Sequence, residues 1–301
     1  MSNKAFLWKL TVFFLLLYAA DSLIGSGLKS LYFHQQEEDF YYTTKALDIQ
    51  DSAIVILGSS RARNHYNPQI ITDSLGMSCY NAGRSGCFLP YQRAQLDMML
   101  DRYSPKVIVL EVTPYDMNPG NGDYERLSGL LPYNHHASWR EVIERKSAFE
   151  PYKCLSAIYP YNSLLLKMLA NLKPRGVFSD NGFQPLDGQW NGTYGDTNGG
   201  GSEVASEKKR QEMEHIVEVC RQRHIQLLMV TSPYYGHFTS AKTLEVTDSI
   251  CKANDIPYLS VLNNPTFEDA TCFSTADHLN RHGADKFSSM VAHWMKDYMP
   301  E

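Results

Sequence analysis

Short apolar runs alternate with amphipathic segments from Ala53 to the end of the chain. Runs rich in aliphatic and β-branched residues have the length of buried strands. These runs predict strands at 54–57, 77–81, 106–112, 225–235 and 256–261. Three of them, at 54–57, 107–112 and 227–230, are almost continuously apolar, which is typical of parallel strands covered on both faces. We therefore expect these three to lie side by side in the centre of a sheet.

Segments with helical spacing fill the intervals between the runs. Pro68 favours a helix start, and Asn280 stands where a cap would precede the last helix. The predicted helices cover 69–75, 89–103, 202–224, 240–255 and 281–299. Regular alternation of strands and helices indicates an α/β fold, a parallel sheet with helices on both faces.

The middle of the chain lacks this rhythm. Helices are expected near 138–149 and 162–172, followed by a segment at 181–202 that is rich in Gly, Asn and Asp. Loops of that length in compact domains are often functional. We therefore predict one domain over 51–301, with a helical and loop insertion at about 119–202.

Near the N-terminus, an apolar run follows two lysines, Lys4 and Lys9. Its uncharged core from Leu10 to Ala20 is shorter than a full membrane span and fits a signal peptide. If Lys9 snorkels and Asp21 lies near the far interface, the segment can also be an uncleaved anchor. Residues 1–28 are thus predicted to be a signal anchor or signal peptide, with 29–50 as a linker. Both interpretations place the domain in the cell envelope. As an anchor, the segment would cross the inner membrane and hold the domain on its periplasmic or extracellular side.

Composition narrows the partners. The 301 residues carry a net charge of −5 without a basic block, which argues against nucleic acid as a partner. None of the six cysteines forms a CxxC pair. His278 and His282 have a metal-like spacing, but a cap at Asn280 would leave His278 outside the helix. No metal and no cofactor are predicted.

Polar residues collect after the predicted strands. Gly58-Ser59-Ser60 follows the first strand, "NAGRSG" the second, "TPYD" the third and "TSPYYGH" the fourth, while "FSTADHLNRHG" comes after the fifth. The carboxyl ends of parallel strands form one edge of a sheet, where sites are commonly built. Acyl transfer needs this combination of a hydroxyl nucleophile, a base and N–H donors for an oxyanion.

At four short blocks the chain resembles the SGNH/GDSL hydrolase superfamily. It is most similar to the membrane-anchored bacterial branch near polysaccharide O-acetyltransferases and acetylesterases. The blocks are "ILGSSRARNHYNP", "YNAGRSG", "VIVLEVTPYD" and "TADHLNRHGADKF". The resemblance implies a three-layer α/β/α, flavodoxin-like fold. It also implies Ser60 as nucleophile, His278 as base and Gly86 as a donor to the oxyanion.

The blocks depart from the family pattern at three positions. Ser59 stands where Asp is common, Tyr115 where an Asn normally donates to the oxyanion, and Thr275 where an Asp normally orients the base. Asp277 is adjacent to His278, and adjacent side chains often diverge. We therefore expect Thr275, a backbone carbonyl or water, rather than Asp277, beside His278 Nδ1. A Ser–His dyad and a degenerate site both stay open.

Substrate contacts are expected from the loops around these blocks. The predicted binding residues are Ser59, Arg61, Asn81, Tyr115, Asp116 and Tyr234. Arg61 could bind an anionic group together with Arg63 and Arg84, or all three could be solvated loop charges.

Two functions follow. The first is a serine esterase or O-acyltransferase acting on O-acyl groups of cell-envelope or extracellular carbohydrate, or on another small ester. The second is a non-catalytic, membrane-anchored protein that binds or assembles glycans on a degenerate SGNH scaffold.

Overall fold

The structure is a computed structural model that describes residues 3–35, 38–172 and 181–300. Two compact units divide the chain: Met1–Tyr41 with Leu127–Val177, and Tyr42–Arg126 with Phe178–Glu301. In the described residues the strands are β1 Ile54–Leu57, β2 Cys79–Asn81, β3 Val107–Glu111, β4 Asp196–Thr197, β5 Gln226–Thr231, β6 His237–Phe238, β7 Tyr258–Ser260, β8 Phe273–Thr275 and β9 His278–Leu279. The helices are α1 Asn3–Phe33, α2 Glu38–Asp48, α3 Ser60–His65, α4 Pro68–Leu75, α5 Leu89–Leu100, α6 Trp139–Glu144, α7 Glu150–Lys153, α8 Leu165–Ala170, α9 Glu207–Gln222, α10 Lys242–Ala253 and α11 Arg281–Met295.

A five-stranded sheet with the order β2-β1-β3-β5-β7 forms the centre of the second unit. All of its strand pairs are parallel. Counted within the sheet, this is the 2-1-3-4-5 order of flavodoxin-like folds. The predicted α/β class is confirmed, as is the central position of β1, β3 and β5.

Side chains of the sheet alternate between two cores. Val55, Ile108 and Leu227 belong to one cluster, which α5, α9 and α10 cover. Ile54 and Val107 belong to the other, which α4 and α11 cover. Because both faces are buried, the central strands are apolar at nearly every position.

Both helix starts indicated by the sequence, at Pro68 and after Asn280, carry a side-chain cap. Asn67 accepts a hydrogen bond from Gln69 N–H at the start of α4, with Pro68 as its first residue. Asn280 accepts one from Gly283 N–H, 3.0 Å away, so α11 begins directly after the strand that carries His278. Helix α11 therefore leaves His278 outside, at the edge of the sheet.

The first unit contains α1 and the helices between Leu127 and Ala170. Helix α1 has 31 residues and is long and apolar enough to cross a membrane, and a signal sequence would pass the same test. Its C-terminal part joins the unit through Tyr32, whose hydroxyl donates to that of Tyr133, 3.1 Å away. Helix α2 occupies part of the stretch expected to be a linker, and the predicted domain boundaries stay predictions.

Candidate active site

A glycine brings the chain from β1 to the candidate nucleophile. Gly58 has a φ of +154°, and a Cβ at this position would lie 2.6 Å from Ala62 Cβ and 2.8 Å from Glu111 Cβ. Only glycine allows this close approach. The turn delivers Ser60 to the start of α3, at the carboxyl edge of the sheet.

A hairpin carries the candidate base. Strands β8 and β9 pair antiparallel, with Thr275 opposite His278. The turn between them is held by Tyr235 N–H, which donates to Ala276 O over 2.8 Å. In this arrangement His278 Nε2 lies 2.8 Å from Ser60 Oγ, within the hydrogen-bond reach expected of a base and its nucleophile.

Two side chains hold the other ring nitrogen. Asp277 Oδ1 lies 3.0 Å from His278 Nδ1, and Thr275 Oγ1 lies 3.2 Å from it. The Thr275 hydroxyl donates to Asp277 Oδ1 over 2.7 Å, so both oxygens are left to accept from an Nδ1–H. That tautomer leaves Nε2 free to accept the proton of Ser60.

The expectation that Asp277 stays away from Nδ1 is therefore wrong, whereas Thr275 lies where we expected it. The reason is the tight turn at 276–277, which folds the side chain of Asp277 back toward the ring of His278. Contact with His278 is the largest influence on the pKa of Asp277. Burial would raise the pKa of Asp277. The hydrogen bonds with His278 and Thr275 outweigh burial and hold that pKa well below its usual range. The carboxylate is therefore ionised at neutral pH.

Arg61 is fully buried beneath the site. Its guanidinium donates to the backbone oxygen of Asp277 over 2.8 Å and to Ser232 Oγ over 2.7 Å, and it pairs with Glu111 Oε1 at 3.3 Å. The ring of Tyr234 lies 3.8 Å from its Cζ. A side chain so enclosed offers no face to a substrate, so the predicted binding role of Arg61 is wrong.

A second buried layer of polar residues was missed by the sequence reasoning. Glu111 accepts a hydrogen bond from Ser232 Oγ, 2.6 Å away, and another from Tyr66 Oη. His65 Nδ1 lies 2.8 Å from Ser232 Oγ, and its Nε2 accepts Leu279 N–H over 3.0 Å. A signal was present, since Glu111 is the one charged residue in the otherwise apolar run "VIVLEV".

His65 lies under His278, with 5.8 Å between the ring centroids. Burial lowers the pKa of His65 well below its usual value, and the charge of Arg61 acts in the same direction. The ring is therefore neutral and serves as a relay of hydrogen bonds between Ser232 and the backbone of β9.

Gly86 lies in a β-turn beside the nucleophile's loop. Cys87 N–H donates to Arg84 O over 3.1 Å, and Arg84 N–H donates to Gly58 O over 2.9 Å. Gly86, at the third position of this turn, has a φ of +69°, a left-handed value that favours glycine. Within the described parts of the chain no acceptor takes its N–H.

The other predicted binding residues are mostly enclosed. Asn81 donates to Ala62 O and Tyr66 O, over 2.7 and 2.8 Å, and so fastens the end of α3. Side chains of Ser59, Asp116 and Tyr234 are buried as well. Their burial leaves no surface for a substrate, so the predicted direct contacts of these four residues are not supported.

Two of these buried groups have shifted acidity. Burial raises the pKa of Asp116 to about 7, although its Oδ2 accepts Thr113 N–H over 2.6 Å. Burial likewise raises the pKa of Tyr234. Tyr115 is half-buried and packs edge-on against Phe88, so it is the predicted binding residue that keeps an open face.

Arg63 and Arg84 are not solvated loop charges. Arg63 is buried and lies over the ring of Tyr42, with its Cζ 4.5 Å from the ring centroid. Arg84 is half-buried, and its backbone ties the Gly86 turn to Gly58. Neither arginine is thereby shown to bind an anion.

No protein-family model and no curated protein matches the chain. Solved structures with a similar fold include a protein described as lipolytic and of the G-D-S-L family, from Desulfitobacterium hafniense DCB-2. It is 10% identical with a TM-score of 0.41, over 81% of this chain and 99% of that one. An acylhydrolase-like protein from Bacteroides fragilis NCTC 9343 is 10% identical with a TM-score of 0.42, over 88% and 100%. A GDSL-like lipase from Bacteroides thetaiotaomicron VPI-5482 is 10% identical with a TM-score of 0.40, over 85% and 96%.

Two of these neighbours are described with the name GDSL, which is also the name of the superfamily that the four sequence blocks resemble. The chemistry proposed for the site rests on the geometry of its own side chains.

Proposed function

We propose that the chain is a serine ester hydrolase or O-acyltransferase that acts on acylated carbohydrate of the cell envelope. The observation that carries the proposal is the 2.8 Å approach of Ser60 Oγ to His278 Nε2, on a ring whose Nδ1 faces Asp277 and Thr275. Nucleophile, base and orienting carboxylate are the parts that acyl transfer requires.

In the first step Ser60 Oγ attacks the acyl carbonyl carbon, and His278 Nε2 takes the hydroxyl proton. The carbonyl oxygen becomes an oxyanion, for which the N–H groups of Ser60 and Gly86 are the donors we assign. When the C–O bond of the ester breaks, His278 returns the proton to the departing alcohol. Water or a sugar hydroxyl then attacks the acyl-serine by the same proton route in reverse.

The charges around the ring of His278 favour this series of reaction steps. His278 becomes an imidazolium during each attack, and the ionised Asp277 beside Nδ1 stabilises it. His65 is neutral, and the charge of Arg61 is paired with Glu111, so the second layer does not oppose the imidazolium.

Aromatic side chains near the hairpin support a carbohydrate substrate. Tyr235, whose backbone holds the turn before His278, packs edge-on against Tyr194 with 5.3 Å between the rings. Tyr194 is 42% exposed and lies in the Gly-rich segment 181–202. Exposed aromatic faces suit sugar rings, which are amphipathic in the same way as tyrosine.

Helix α1 supports a place in the cell envelope. Lys4 and Lys9 precede its apolar run, and positive charges favour the cytoplasmic side of the inner membrane. With α1 as anchor, the second unit would face the periplasm or the exterior.

The test is hydrolysis of a chromogenic acetyl ester together with labelling by a fluorophosphonate probe. We expect activity and a single covalent adduct in the wild type, and neither in Ser60→Ala. Ser274→Ala is the matched control. Ser274 lies in the hairpin that carries His278, but its hydroxyl donates to Asp187 O, 2.9 Å away, and not to a residue of the site. Activity that persists in Ser60→Ala would exclude Ser60 as nucleophile. A wild type that binds acetylated oligosaccharides without activity or labelling would favour the non-catalytic function.

A further inference from the structure

One carboxylate fastens the apolar helix α1 to a turn of the first unit. Asp21 Oδ1 accepts a hydrogen bond from Ser156 Oγ over 2.5 Å, and its Oδ2 accepts one from Ala157 N–H over 2.7 Å. These are charge-assisted bonds, which hold geometry more firmly than neutral ones. The turn at 156–157 is therefore fixed at the level of Asp21 along α1.

Close packing one turn further on strengthens this junction. Gly25 is buried, and a Cβ at its position would lie 2.4 Å from Ala157 Cβ. Any larger residue would push the turn away from the helix. Asp21 and Gly25, at i and i+4, thus form one docking face for residues 156–157.

The junction lies at the end of the apolar run. None of the 18-residue window that qualifies α1 as a membrane span is buried. Residues 3–20 of a helix extend about 27 Å at 1.5 Å per residue, close to the ~30 Å of a bilayer's hydrocarbon core. If this stretch crosses a bilayer, Asp21 lies at its boundary, and the docked turn lies there too.

The segment that leads into the docked turn exposes large apolar side chains. Phe149, Tyr152 and Leu155 are 71%, 60% and 79% exposed. Their spacing of three residues places them on one side of α7 and its continuation. The opposite side is pinned by the buried Glu150, which accepts from Lys146 Nζ at 2.9 Å.

Glu150 also accepts from Lys153 Nζ and Tyr159 Oη, at 2.8 and 2.9 Å. Because these bonds hold its inner side, the segment 149–155 presents its apolar side outward. Aromatic and aliphatic side chains displayed in this manner are typical of segments that lie in a membrane interface.

We propose that the side chains of Phe149, Tyr152 and Leu155 insert into the bilayer interface beside α1, as a second membrane contact. The occupant is the lipid bilayer, because Asp21 and Gly25 tie this segment to the apolar helix α1 through residues 156–157. Such a contact would restrain rotation of the first unit about α1. It is independent of the esterase activity, since it uses none of the residues of the site.

The chain supplies its own control for depth. Leu166 on α8 is 83% exposed, close to the 79% of Leu155. Helix α8 meets the far end of α1, where Gln35 Nε2 donates to Met168 O over 3.4 Å. The step from Asp21 to Phe33, the last residue of α1, corresponds to about 18 Å of helix. A leucine of equal exposure thus lies well away from the expected bilayer surface.

The experiment uses the full-length protein, purified alone and reconstituted in phosphatidylcholine–phosphatidylglycerol nanodiscs. Cys154→Ser removes the half-exposed thiol, and the remaining five cysteines are buried. Leu155→Cys and Leu166→Cys are then labelled separately with an NBD fluorophore. Lipids carrying doxyl groups near the headgroup serve as quenchers, and thermal unfolding verifies each labelled variant. If Leu155→Cys does not fold, Tyr152→Cys takes its place.

We expect a blue-shifted emission and about twofold or greater doxyl quenching for the probe at 155 relative to that at 166. Equal quenching at the two positions would overturn the proposal. A blue shift at 155 without doxyl quenching would also overturn it, because it would show burial against protein rather than lipid.

Discussion

Arg61 follows Ser60 directly in the chain, yet its guanidinium donates to the backbone oxygen of Asp277, 2.8 Å away, in the turn that presents His278. The same group is paired with Glu111 on β3 and with Ser232 after β5. One buried side chain thereby connects the loop of Ser60, the sheet edge and the turn before His278. We therefore propose a positioning role for Arg61, since its side chain is too enclosed to meet a substrate.

Replacing Arg61 should misplace the base. Arg61→Lys keeps the charge opposite Glu111, but its compact ammonium cannot span the separate acceptors that the planar guanidinium reaches with three different nitrogens. We expect kcat for the acetyl ester to fall about 10- to 100-fold with KM little changed, because small displacements of catalytic groups have effects of this size. Steady-state kinetics measures both constants. Arg221→Lys, at a side chain that is 75% exposed, is the control. An unchanged kcat in a folded Arg61→Lys protein would show that the turn is held without it.

Asp277 should matter more than its neighbour Thr275. Asp277→Asn removes the charge that stabilises the imidazolium, and kcat should fall by about 10²- to 10⁴-fold. Thr275→Val removes the hydroxyl that donates to Asp277 and should have a smaller effect, which Thr275→Ser restores. A pH–rate profile for each variant distinguishes loss of the charge from general disorder of the turn.

Adding a second carboxylate should bring no gain. Thr275→Asp would set a carboxylate against Asp277, which already lies at Nδ1, so like charges would face each other. A rate increase in Thr275→Asp would mean that Asp277 does not orient the ring in solution.

Gly86 and Gly76 form a matched pair for the cost of backbone strain. Their φ angles are +69° and +67°, and a Cβ at either position meets nothing closer than 3.8 Å. Each change to alanine should reduce the free energy of unfolding by about 1–2 kcal/mol. Only Gly86→Ala should also lower kcat, because relaxation of its turn would redirect the proposed oxyanion donor. Equal kcat values in the two variants would argue against Gly86 as a donor.

Glu150 should make the first unit sensitive to acid. Burial alone would raise the pKa of Glu150, but hydrogen bonds from Lys153, Lys146 and Tyr159 outweigh it and lower the pKa from 4.5 to about 2. A lowered pKa in the folded state stabilises the protein above pH 4.5, and this contribution is lost as the pH falls toward 2.

Thermal unfolding in detergent should therefore show a lower Tm for Glu150→Gln at pH 7 and a shrinking difference from the wild type by pH 3. Glu218→Gln, at an exposed pair with Arg221, should change little at either pH. A constant difference across the range would mean that Glu150 acts through packing and not through its charge.

Hydrophobic periodicity was sufficient for the sheet and its covering helices. β1, β3 and β5 are apolar at nearly every position, and this pattern is typical of parallel strands covered on both faces. Helix α2 was not predicted because its residues lack a clear period. The β8–β9 hairpin was missed for a related reason: strands of two or three residues are too short to show alternation.

The sequence indicated which residues form the candidate site, but not the hydrogen bonds and buried contacts that connect them. Ser60 and His278 could be placed from the order of motifs along the chain. The burial of Arg61 could not be predicted. Charged side chains are rarely enclosed without partners, and the partners of Arg61 come from distant loops. The position of Asp277 depends on the backbone angles of one tight turn, which the residue types at 275–278 do not determine.

Ser60 and His278 are separated by 218 positions in the sequence. A chain is synthesised from its N-terminus, so the hydroxyl emerges long before the imidazole that would activate it. Until the hairpin and α11 have docked, Ser60 is an ordinary alcohol with no base. If the proposed function holds, the nascent protein is inactive, and the appearance of activity marks the completion of folding.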